Sequence, residues 1–293
     1  MGARGLCSAA GTRRERSRPA SAFSTNVPRA ALEIVLLDLA NLESVEDAAE
    51  EVADLAGQLD LLVNNAGVMA VAPGLTADGF EVQIGTNHLG HFALTGRLLP
   101  LLLAAGDARV ITVTSVAHRT ATSAGLSDAE QFEKLPHNSR WLGYCRSKLA
   151  NVLFALELDR RWKSAAAAAS ADDGYSRMRS FPVHPGVARS ELLDKATAGQ
   201  RRLFGPAARL GMNSLAQSAD DGALPALYAA SRPELDGGEF IGPRGFRELR
   251  GKPGVCTPSR MAQDRDLATR LWHASVDATG VGFEELQTRI TTS

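Results

Sequence analysis

Strand-like and helix-like segments alternate from Glu33 onward, and this alternation constrains the fold more than any other feature of the sequence. The first segment, "EIVLLDL", is a continuous apolar run of the kind found in strands that are buried on both faces. The next, "LESVEDAAEEVADLAG", has helical spacing, and the later runs "LDLLVNNAG", "ARVITVTS" and "GGEFIGP" are again separated by helical stretches. The pattern therefore predicts an α/β fold built on a doubly wound parallel sheet.

The composition fits one large α/β domain and excludes several other classes of protein. The 293 residues carry a net charge of -1, so no charge excess favours nucleic acid or anionic lipid. The three cysteines are widely spaced, which fits a reducing compartment without a disulfide framework or a zinc site. No apolar run approaches the roughly 20 residues that span a bilayer. We therefore expect a cytoplasmic protein with no integral membrane segment and no nucleic-acid partner.

Residues 1–30 differ in composition from the rest of the chain. They contain six arginines, one acidic residue and no hydrophobic periodicity. This composition predicts a disordered tail before a single domain that spans residues 31–293. An Arg- and Ser-rich start also fits an organelle transit peptide, and "TRRERSR" gives weak support to a nucleic-acid-binding arm.

Small or polar residues stand where the predicted strands end. Asp38 ends the first strand, residues 64–67 end the second, Thr114 and Ser115 end the third, and residues 184–186 end the fourth. Because ligands of open parallel sheets bind beyond the carboxyl ends of the strands, these residues predict one ligand crevice. Each group taken alone also fits an ordinary turn or helix cap.

Tyr144 and Lys148 lie four residues apart on a predicted amphipathic helix, so their side chains share one helix face. An ammonium one turn away lowers the pKa of a phenol, which is ordinarily about 10. Such a phenol gives a proton to a carbonyl that receives hydride, or takes one from an alcohol that loses it. Ser115 would hydrogen-bond the substrate oxygen. Taken alone, this spacing more often marks an ordinary pair on a helix surface.

Five motifs, "NNAGVM", "TNHLGHF", "VTSVAH", "YCRSK" and "HPGVARSEL", occur in the order typical of the short-chain dehydrogenase/reductase family, which the chain resembles. The longer stretches "SKLANVLFALELDRR" and "GPRGFRELRGKP" resemble its retinol-dehydrogenase-like branch. The similarity covers residues 31–283. It implies a Rossmann-like sheet and an NAD(P)-dependent oxidoreductase that interconverts an alcohol and a carbonyl on a small, hydrophobic substrate. It favours NADP(H) over NAD(H) and implies a homodimer.

The resemblance also implies a role for each matching residue. Tyr144 would be the catalytic acid/base, Lys148 would lower its pKa and hold the nicotinamide ribose, Ser115 would polarise the substrate carbonyl, and Asn87 would anchor a water that leads to Lys148. No metal is implied. The implied cofactor-binding residues are Asp38, Leu39, Asn65, Ala66, Gly67, Tyr144, Lys148, Pro185, Gly186 and Ser190.

One part of the family pattern has no counterpart in the sequence. A Gly-rich turn should follow the first strand and receive the cofactor pyrophosphate on a helix N-terminus. Gly2, Gly5 and Gly11 lie in the Arg-rich stretch without an apolar strand before them. We therefore expect the sheet to lack its first strand–helix unit. A late recorded start, an upstream reading-frame error and a natural fragment all remain open as explanations.

This departure leaves more than one function open. The leading hypothesis is the NAD(P)-dependent oxidoreductase. The alternative from another class is a truncated, cofactor-free pseudoenzyme that acts as a binding module, or a non-functional fragment. A third interpretation is an epimerase or dehydratase of the same family. The C-terminal sequence, which resembles that of retinol dehydrogenases, disfavours it.

Overall fold

The computed structural model describes residues 4–10, 31–133, 140–168, 178–187 and 217–287, with the backbone alone for residues 4–10, 31 and 287. Its strands form one two-stranded and one five-stranded sheet. All neighbouring strands are parallel except the last pair, which is antiparallel. The smaller sheet contains β1 (Arg4–Ala10) and β2 (Ala31–Leu37). The larger has the order β3 (Leu61–Asn64), β4 (Arg109–Val113), β5 (Arg179–Val183), β6 (Phe240–Pro243), β7 (Pro253–Cys256). The predicted α/β class with a mostly parallel sheet is confirmed.

Strand β1 corrects part of the prediction for the N-terminal segment. The predicted tail over residues 1–30 includes Arg4–Ala10, which the structure places in a strand parallel to β2, with Arg4 opposite Ala31 and Ala10 opposite Leu37. The pairing satisfies the backbone N–H and C=O groups along one edge of β2. Composition does not reveal such a strand, because a backbone ladder forms with many side chains. Residues 11–30 lie outside the described residues.

Strand β2 is buried on one face only, whereas its apolar sequence predicts burial on both. Val35 and Leu37 are buried, but Ile34 and Leu36 are each 53% exposed. In β3, Leu61 and Val63 are exposed in the same alternating way. Side chains alternate between the two faces of a strand, so one face of both strands packs in the core and the other is uncovered by the part of the chain that the structure describes.

Helix α1 (Leu42–Leu55) follows β2 and packs against its buried face. It begins after Asn41, whose side-chain oxygen accepts a hydrogen bond from the Glu43 N–H, as N-cap residues do. Its buried positions recur with helical spacing and are Val45, Ala48, Ala49 and Val52. The helix therefore closes the core on the same side of β2 as Val35 and Leu37.

The helical stretch between β3 and β4 is divided into several pieces. One turn, Val82–Ile84, leads into a π-helical turn, Gly85–Leu89, which continues as α2 (Gly90–Arg97). A break at Leu98 separates α2 from α3 (Leu99–Ala105). Pro100 accounts for this break because its ring has no N–H and clashes with the preceding turn.

The longest helix, α5 (Arg140–Ala168), lies between the larger sheet and the C-terminal helix α7 (Arg265–Thr279). Aromatic rings join these elements: the centroid of the Phe92 ring lies 5.4 Å from Phe154 and 5.2 Å from Trp272. The remaining helices are α4 (Glu130–Glu133), α6 (Ala219–Ser231) and α8 (Glu284–Gln287), and short 3-10 turns occupy Val116–Thr120, Phe246–Glu248 and Met261–Gln263. Among the helices described, none has the length and apolar character needed to cross a membrane.

Candidate active site

The π-helical turn Gly85–Leu89 carries the buried side chain of Asn87 into the loop after β3. Its Oδ1 accepts a hydrogen bond from the Val68 N–H at 2.7 Å, and its Nδ2 donates to the Val68 carbonyl oxygen at 2.9 Å. Nδ2 also donates to Ser147 Oγ at 2.9 Å. Asn87 therefore holds the loop after β3 against helix α5. A π-turn adds one residue to a helical turn and is frequent at functional sites.

Gly67 lets this loop pass close to Asn87. A Cβ atom at residue 67 would lie 2.8 Å from Asn87 Oδ1 and 3.7 Å from Lys148 Nζ. The first distance is shorter than a carbon–oxygen contact allows, so only glycine fits beside the present Asn87 side chain. The preceding residues, Asn65 and Ala66, are exposed and half-buried, respectively. The structure thus places the "NNAG" segment at the same crevice as Asn87 and Lys148.

Helix α5 presents Tyr144 and Lys148 to the end of β4, and both side chains are buried. The Lys148 Nζ atom lies 5.8 Å from the centroid of the Tyr144 ring. Nζ donates a hydrogen bond to the Val113 carbonyl oxygen at 3.0 Å, while the Thr114 hydroxyl donates to the Lys148 carbonyl oxygen at 2.6 Å. These two bonds tie α5 to β4 in both directions.

Burial dominates the protonation of both groups. It lowers the pKa of Lys148 from 10.5 to about 8, because the charged ammonium loses its hydration. It raises the pKa of the Tyr144 phenol, and a hydrogen bond with Ser115 opposes this rise. Removal of the phenolate from water outweighs the hydrogen bond with Ser115, so the net pKa of Tyr144 is raised, and a lowering of this pKa by Lys148 stays a prediction.

Ser115 stands at the start of the Val116–Thr120 turn. Its Oγ accepts a hydrogen bond from the Ala117 N–H at 3.2 Å, and its side chain hydrogen-bonds the Tyr144 phenol. His118 follows one turn later, and its Nδ1 contacts the Ser115 carbonyl oxygen at 2.7 Å. The structure thereby brings together all four residues with predicted catalytic roles, Asn87, Ser115, Tyr144 and Lys148.

The residues predicted to bind the adenosine side lie at the end of β2. The Asp38 side chain is exposed, and its Oδ1 accepts a hydrogen bond from the Ala40 N–H at 2.9 Å. Leu39 is buried against Gly90, where a Cβ atom would lie 2.4 Å from the Leu39 carbonyl oxygen. That carbonyl thus faces helix α2, and Asp38 is the residue of the pair that is open to a ligand.

The predicted nicotinamide border follows β5. Gly186 has a φ of +70°, and a Cβ atom there would lie 2.4 Å from the Leu249 carbonyl oxygen. Glycine is required at this turn for both reasons. Pro185 is half-buried, and its carbonyl oxygen accepts a hydrogen bond from Gln217 Nε2 at 2.6 Å. Ser190, predicted to lie near the carboxamide, is outside the described residues.

The site fits one end of a nicotinamide dinucleotide better than the other. A lysine ammonium has three N–H donors, and among the described residues Lys148 uses one of them, on Val113. Two donors therefore remain for the ribose hydroxyls of a nicotinamide nucleotide. At the phosphate end, Gly5 lies within β1, and the described residues contain no Gly-rich turn that joins a strand to a helix N-terminus.

Two residues of the site were not predicted from the sequence. Ser147 accepts from Asn87 Nδ2 and donates to the Tyr144 carbonyl oxygen at 2.9 Å. The buried Gln83 accepts from the Ala70 N–H at 2.8 Å and donates to the Arg140 carbonyl oxygen at 2.9 Å. Ser147 stands three residues after Tyr144, so helical spacing could have identified it. No sequence signal marks Gln83, which joins two segments far apart in the chain.

Comparisons with known proteins agree with this geometry. The family model described as "short chain dehydrogenase" matches residues 1–127. Human retinol dehydrogenase 13 is 36% identical over 252 residues, which cover 84% of this chain and 68% of that protein. Mouse polyprenol dehydrogenase is 38% identical over 250 residues, covering 84% of this chain and 68% of that protein.

Two solved structures show the fold. A putative uncharacterized protein from Mycobacterium paratuberculosis is 36% identical and matches with a TM-score of 0.69, covering 95% of this chain and 84% of that one. A gluconate 5-dehydrogenase from Burkholderia cenocepacia is 18% identical, with a TM-score of 0.55 and coverage of 80% and 81%. The chain therefore belongs to the short-chain dehydrogenase/reductase family of NAD(P)-dependent oxidoreductases that act on CH–OH groups, in its retinol-dehydrogenase-like branch.

Proposed function

We propose that this chain interconverts an alcohol and a carbonyl on a hydrophobic substrate with NADP(H), and that Tyr144 moves the proton. The observation that carries the proposal is the buried Tyr144 phenol, hydrogen-bonded to Ser115 and close to the buried Lys148 ammonium. The phenol and the ammonium of helix α5 and the hydroxyl that follows β4 supply a proton donor, a positive charge and a second donor to the same oxygen.

Each of the four side chains has a separate task in this proposal. A bound nicotinamide supplies or accepts the hydride. The Tyr144 O–H donates its proton to the substrate oxygen in reduction, and the phenolate takes it back in oxidation. Ser115 donates a hydrogen bond to that oxygen. Lys148 stabilises the phenolate by its charge, and Asn87 fixes the loop that contains Gly67 beside Lys148.

The raised pKa of Tyr144 favours one direction of the reaction. Burial raises this pKa above its ordinary value, so the phenol carries its proton at neutral pH. A protonated phenol is ready to donate, which carbonyl reduction needs. Oxidation of the alcohol needs the phenolate, which forms only at higher pH. We therefore propose that the chain is ready for carbonyl reduction near neutrality and that alcohol oxidation becomes faster as pH rises.

The substrate class rests on the relatives. Their names are those of dehydrogenases of retinol and polyprenol, which are long apolar alcohols. These relatives are 35 to 38% identical to this chain. We also propose a preference for NADP(H) and a homodimer, which the family resemblance implies, and a cytoplasmic location, which the composition favours.

A second candidate function is a cofactor-free binding module, and the uncovered sheet face favours it. The exposed side chains of Ile34, Leu36, Leu61 and Val63 lie on β2 and β3. A cavity of about 300 Å³ also opens on the larger sheet, where Leu61, Val63, Val113 and Val183 line it. Apolar surface of this kind is typical of binding sites.

Titration of the purified full chain separates the two functions. NADPH and NADH are added separately, and nicotinamide fluorescence is followed with wild type, Lys148→Met and the control Lys252→Met, whose side chain is exposed. The enzyme proposal expects saturable binding that is tighter for NADPH, weaker by tenfold or more in Lys148→Met, and unchanged in the control. Absence of binding by a chain with a native circular dichroism spectrum would favour the binding module.

Turnover tests the chemistry directly. Retinaldehyde and NADPH are supplied, and the loss of reduced nicotinamide is measured with wild type and Tyr144→Phe. Removal of a general acid costs about 10²-fold or more in rate. Equal rates for the two proteins would contradict the role of Tyr144.

A further inference from the structure

Three side chains of different chemistry meet between the end of β5 and the last hairpin of the sheet. They are His184, which follows β5, Glu248, in the turn between β6 and β7, and Cys256, the last residue of β7. One atom from each, an imidazole nitrogen, a carboxylate oxygen and the thiol sulfur, lies within 4.8 Å of the other two. The proposed reaction uses none of these three side chains.

The imidazole of His184 is buried, and its Nε2 has no hydrogen-bond partner in the described part of the protein. The carboxylate of Glu248 is near, with Oε2 at 3.5 Å from Nε2. The ring cannot turn away, because Phe240 stacks on it at 4.9 Å between centroids. Gly242 confines it from another side, since a Cβ atom there would lie 1.9 Å from Nε2. The Nε2 atom is thus buried and confined within reach of both a carboxylate and a thiol, and this grouping of three donor types indicates a ligand.

The carboxylate of Glu248 is also held in place. Arg119 Nη2 donates to its Oε2 at 2.8 Å and to the Thr257 carbonyl oxygen at 2.7 Å. Both Arg119 and His184 contact Oε2, so Oε1 is the oxygen that a cation would use. Arg247 and Glu248 both have positive φ values, 49° and 59°, which non-glycine residues rarely adopt. This backbone directs the Glu248 side chain toward His184.

We propose that His184 Nε2, the Glu248 carboxylate and Cys256 Sγ bind Zn²⁺, with a water as the fourth ligand. Imidazole, carboxylate and thiolate are the three ligand types of protein zinc sites, whereas Mg²⁺ and Ca²⁺ take oxygen ligands. Zinc bonds of about 2.0 to 2.3 Å require the three atoms to lie closer together than the 4.8 Å within which they now stand. The site departs from the expectation of no metal, because residues 184, 248 and 256 follow no recognised zinc spacing.

Zinc at this site would change the hydrogen bonding of Gly186, which is predicted to border the nicotinamide. The Gly186 N–H donates to His184 Nδ1 at 3.3 Å, so the proton of the neutral ring is on Nε2. Coordination through Nε2 places that proton on Nδ1, which then no longer accepts from Gly186. Zinc binding therefore releases the N–H of the Gly186 turn. This consequence rests on the proposed function, but the metal site itself does not.

The test uses Co²⁺ as a visible substitute for Zn²⁺ on the full chain, stripped of metal with a chelator. We expect one equivalent of Co²⁺ to bind wild type with the absorption band of a cobalt–thiolate bond, and Zn²⁺ to displace it. Cys256→Ser should lose this band. Cys145→Ser, which removes a buried free thiol outside the cluster, should keep it. Absence of saturable binding, or a thiolate band that persists in Cys256→Ser, would overturn the proposal.

A second variant and a second measurement distinguish the loss of a metal ligand from misfolding of the variant. Glu248→Gln keeps the size of a half-buried side chain and should bind Co²⁺ at least tenfold more weakly. Zn²⁺ should raise the Tm of wild type and of Cys145→Ser, but not that of Cys256→Ser. Unchanged Co²⁺ affinity in Glu248→Gln would exclude the Glu248 carboxylate as a ligand and would overturn the proposed site. No cofactor or substrate is present in these assays, so their outcome does not depend on the oxidoreductase activity.

Discussion

The Lys148 Nζ atom donates a hydrogen bond to the Val113 carbonyl oxygen at 3.0 Å, which fixes a buried ammonium at the carboxyl end of β4. The position places the charge of helix α5 where ligands of parallel sheets bind. It also removes the ammonium from water, and this desolvation lowers its pKa to about 8. The position that the proposed function requires of Lys148 therefore lowers the stability of the folded chain.

Replacement of Lys148 by methionine should reveal this conflict in the pH dependence of folding. The pKa of this lysine is 10.5 when water surrounds it, as in the unfolded chain, and about 8 in the folded protein. Between these values the unfolded chain binds the proton that the folded chain has lost, so wild-type stability rises with pH. Below pH 8 the buried charge destabilises wild type by up to about 3 kcal/mol, at about 1.4 kcal/mol per pKa unit.

Urea unfolding from neutral pH to about pH 11 measures this difference. Wild type should gain stability relative to Lys148→Met as pH rises, apart from a constant offset due to the lost bond to Val113. Parallel curves for the two proteins would mean that the Lys148 ammonium remains hydrated in the folded state.

Local patterns explain why the shared helix face of Tyr144 and Lys148 could be predicted from the sequence, whereas their catalytic roles were implied by the family resemblance. Helical spacing alone places residues four apart on one face, and strand ends alone place Ser115 at a sheet edge. The alternation of segments likewise determines the fold class, because each strand and helix buries a face that its own residues define. These properties depend on short stretches of the chain, so they can be recognised in a single sequence.

The features that could not be predicted depend on contacts between distant segments. Strand β1 pairs through its backbone, so its side chains carry no signal of the pairing. The π-turn at Asn87 is stabilised by Val68 and Ser147, which lie 19 and 60 residues away. The raised pKa of Tyr144 follows from burial, which depends on the packed core around helix α5. Spacing rules contain none of this information.

Gly67→Ala should disturb the crevice without a change of charge. The new Cβ would lie 2.8 Å from Asn87 Oδ1, so the Asn87 side chain must move and its bonds to Val68 must lengthen. Overpacking of this kind costs about 1 to 3 kcal/mol of stability. We also expect nicotinamide cofactors to bind about tenfold more weakly, since Lys148 Nζ lies only 3.7 Å from the same Cβ position.

Gly57→Ala is the matched control, because a Cβ atom there would meet no other heavy atom within 4 Å. Chemical unfolding and cofactor titration on both variants give the comparison. If the two variants have the same stability and the same cofactor affinity, the loop after β3 accommodates a Cβ atom at residue 67, and the close contact with Asn87 does not constrain the loop.

Buried histidines should make the fold sensitive to mild acid. Burial lowers the pKa of His88 from 6.5 to about 3, and that of His91 from 6.5 to about 4. Below pH 6.5 the unfolded chain takes up protons that the folded chain does not, so stability falls as pH falls. Each histidine contributes about 1.4 kcal/mol per pH unit within this window.

His88→Gln should therefore flatten the dependence of unfolding free energy on pH below 6.5. The glutamine can still reach Ser275, whose Oγ lies 2.9 Å from His88 Nε2. His273→Gln replaces an exposed histidine and should leave the slope as in wild type. An unaltered slope in His88→Gln would show that this ring is protonated inside the fold.

Ser115→Ala should shift the pH profile of carbonyl reduction to higher pH while it lowers the rate. The hydrogen bond from Ser115 lowers the pKa of Tyr144, so its loss raises that pKa further. Reduction needs the protonated phenol, and its decline at high pH therefore begins later in the variant. The rate itself should fall by about 10²- to 10³-fold, as expected when one donor to the reacting oxygen is removed. Ser123→Ala, in the loop that follows the same turn, should leave both the profile and the rate unchanged. A rate loss without a shift of the high-pH limb would restrict Ser115 to binding the substrate oxygen and would separate it from the ionisation of Tyr144.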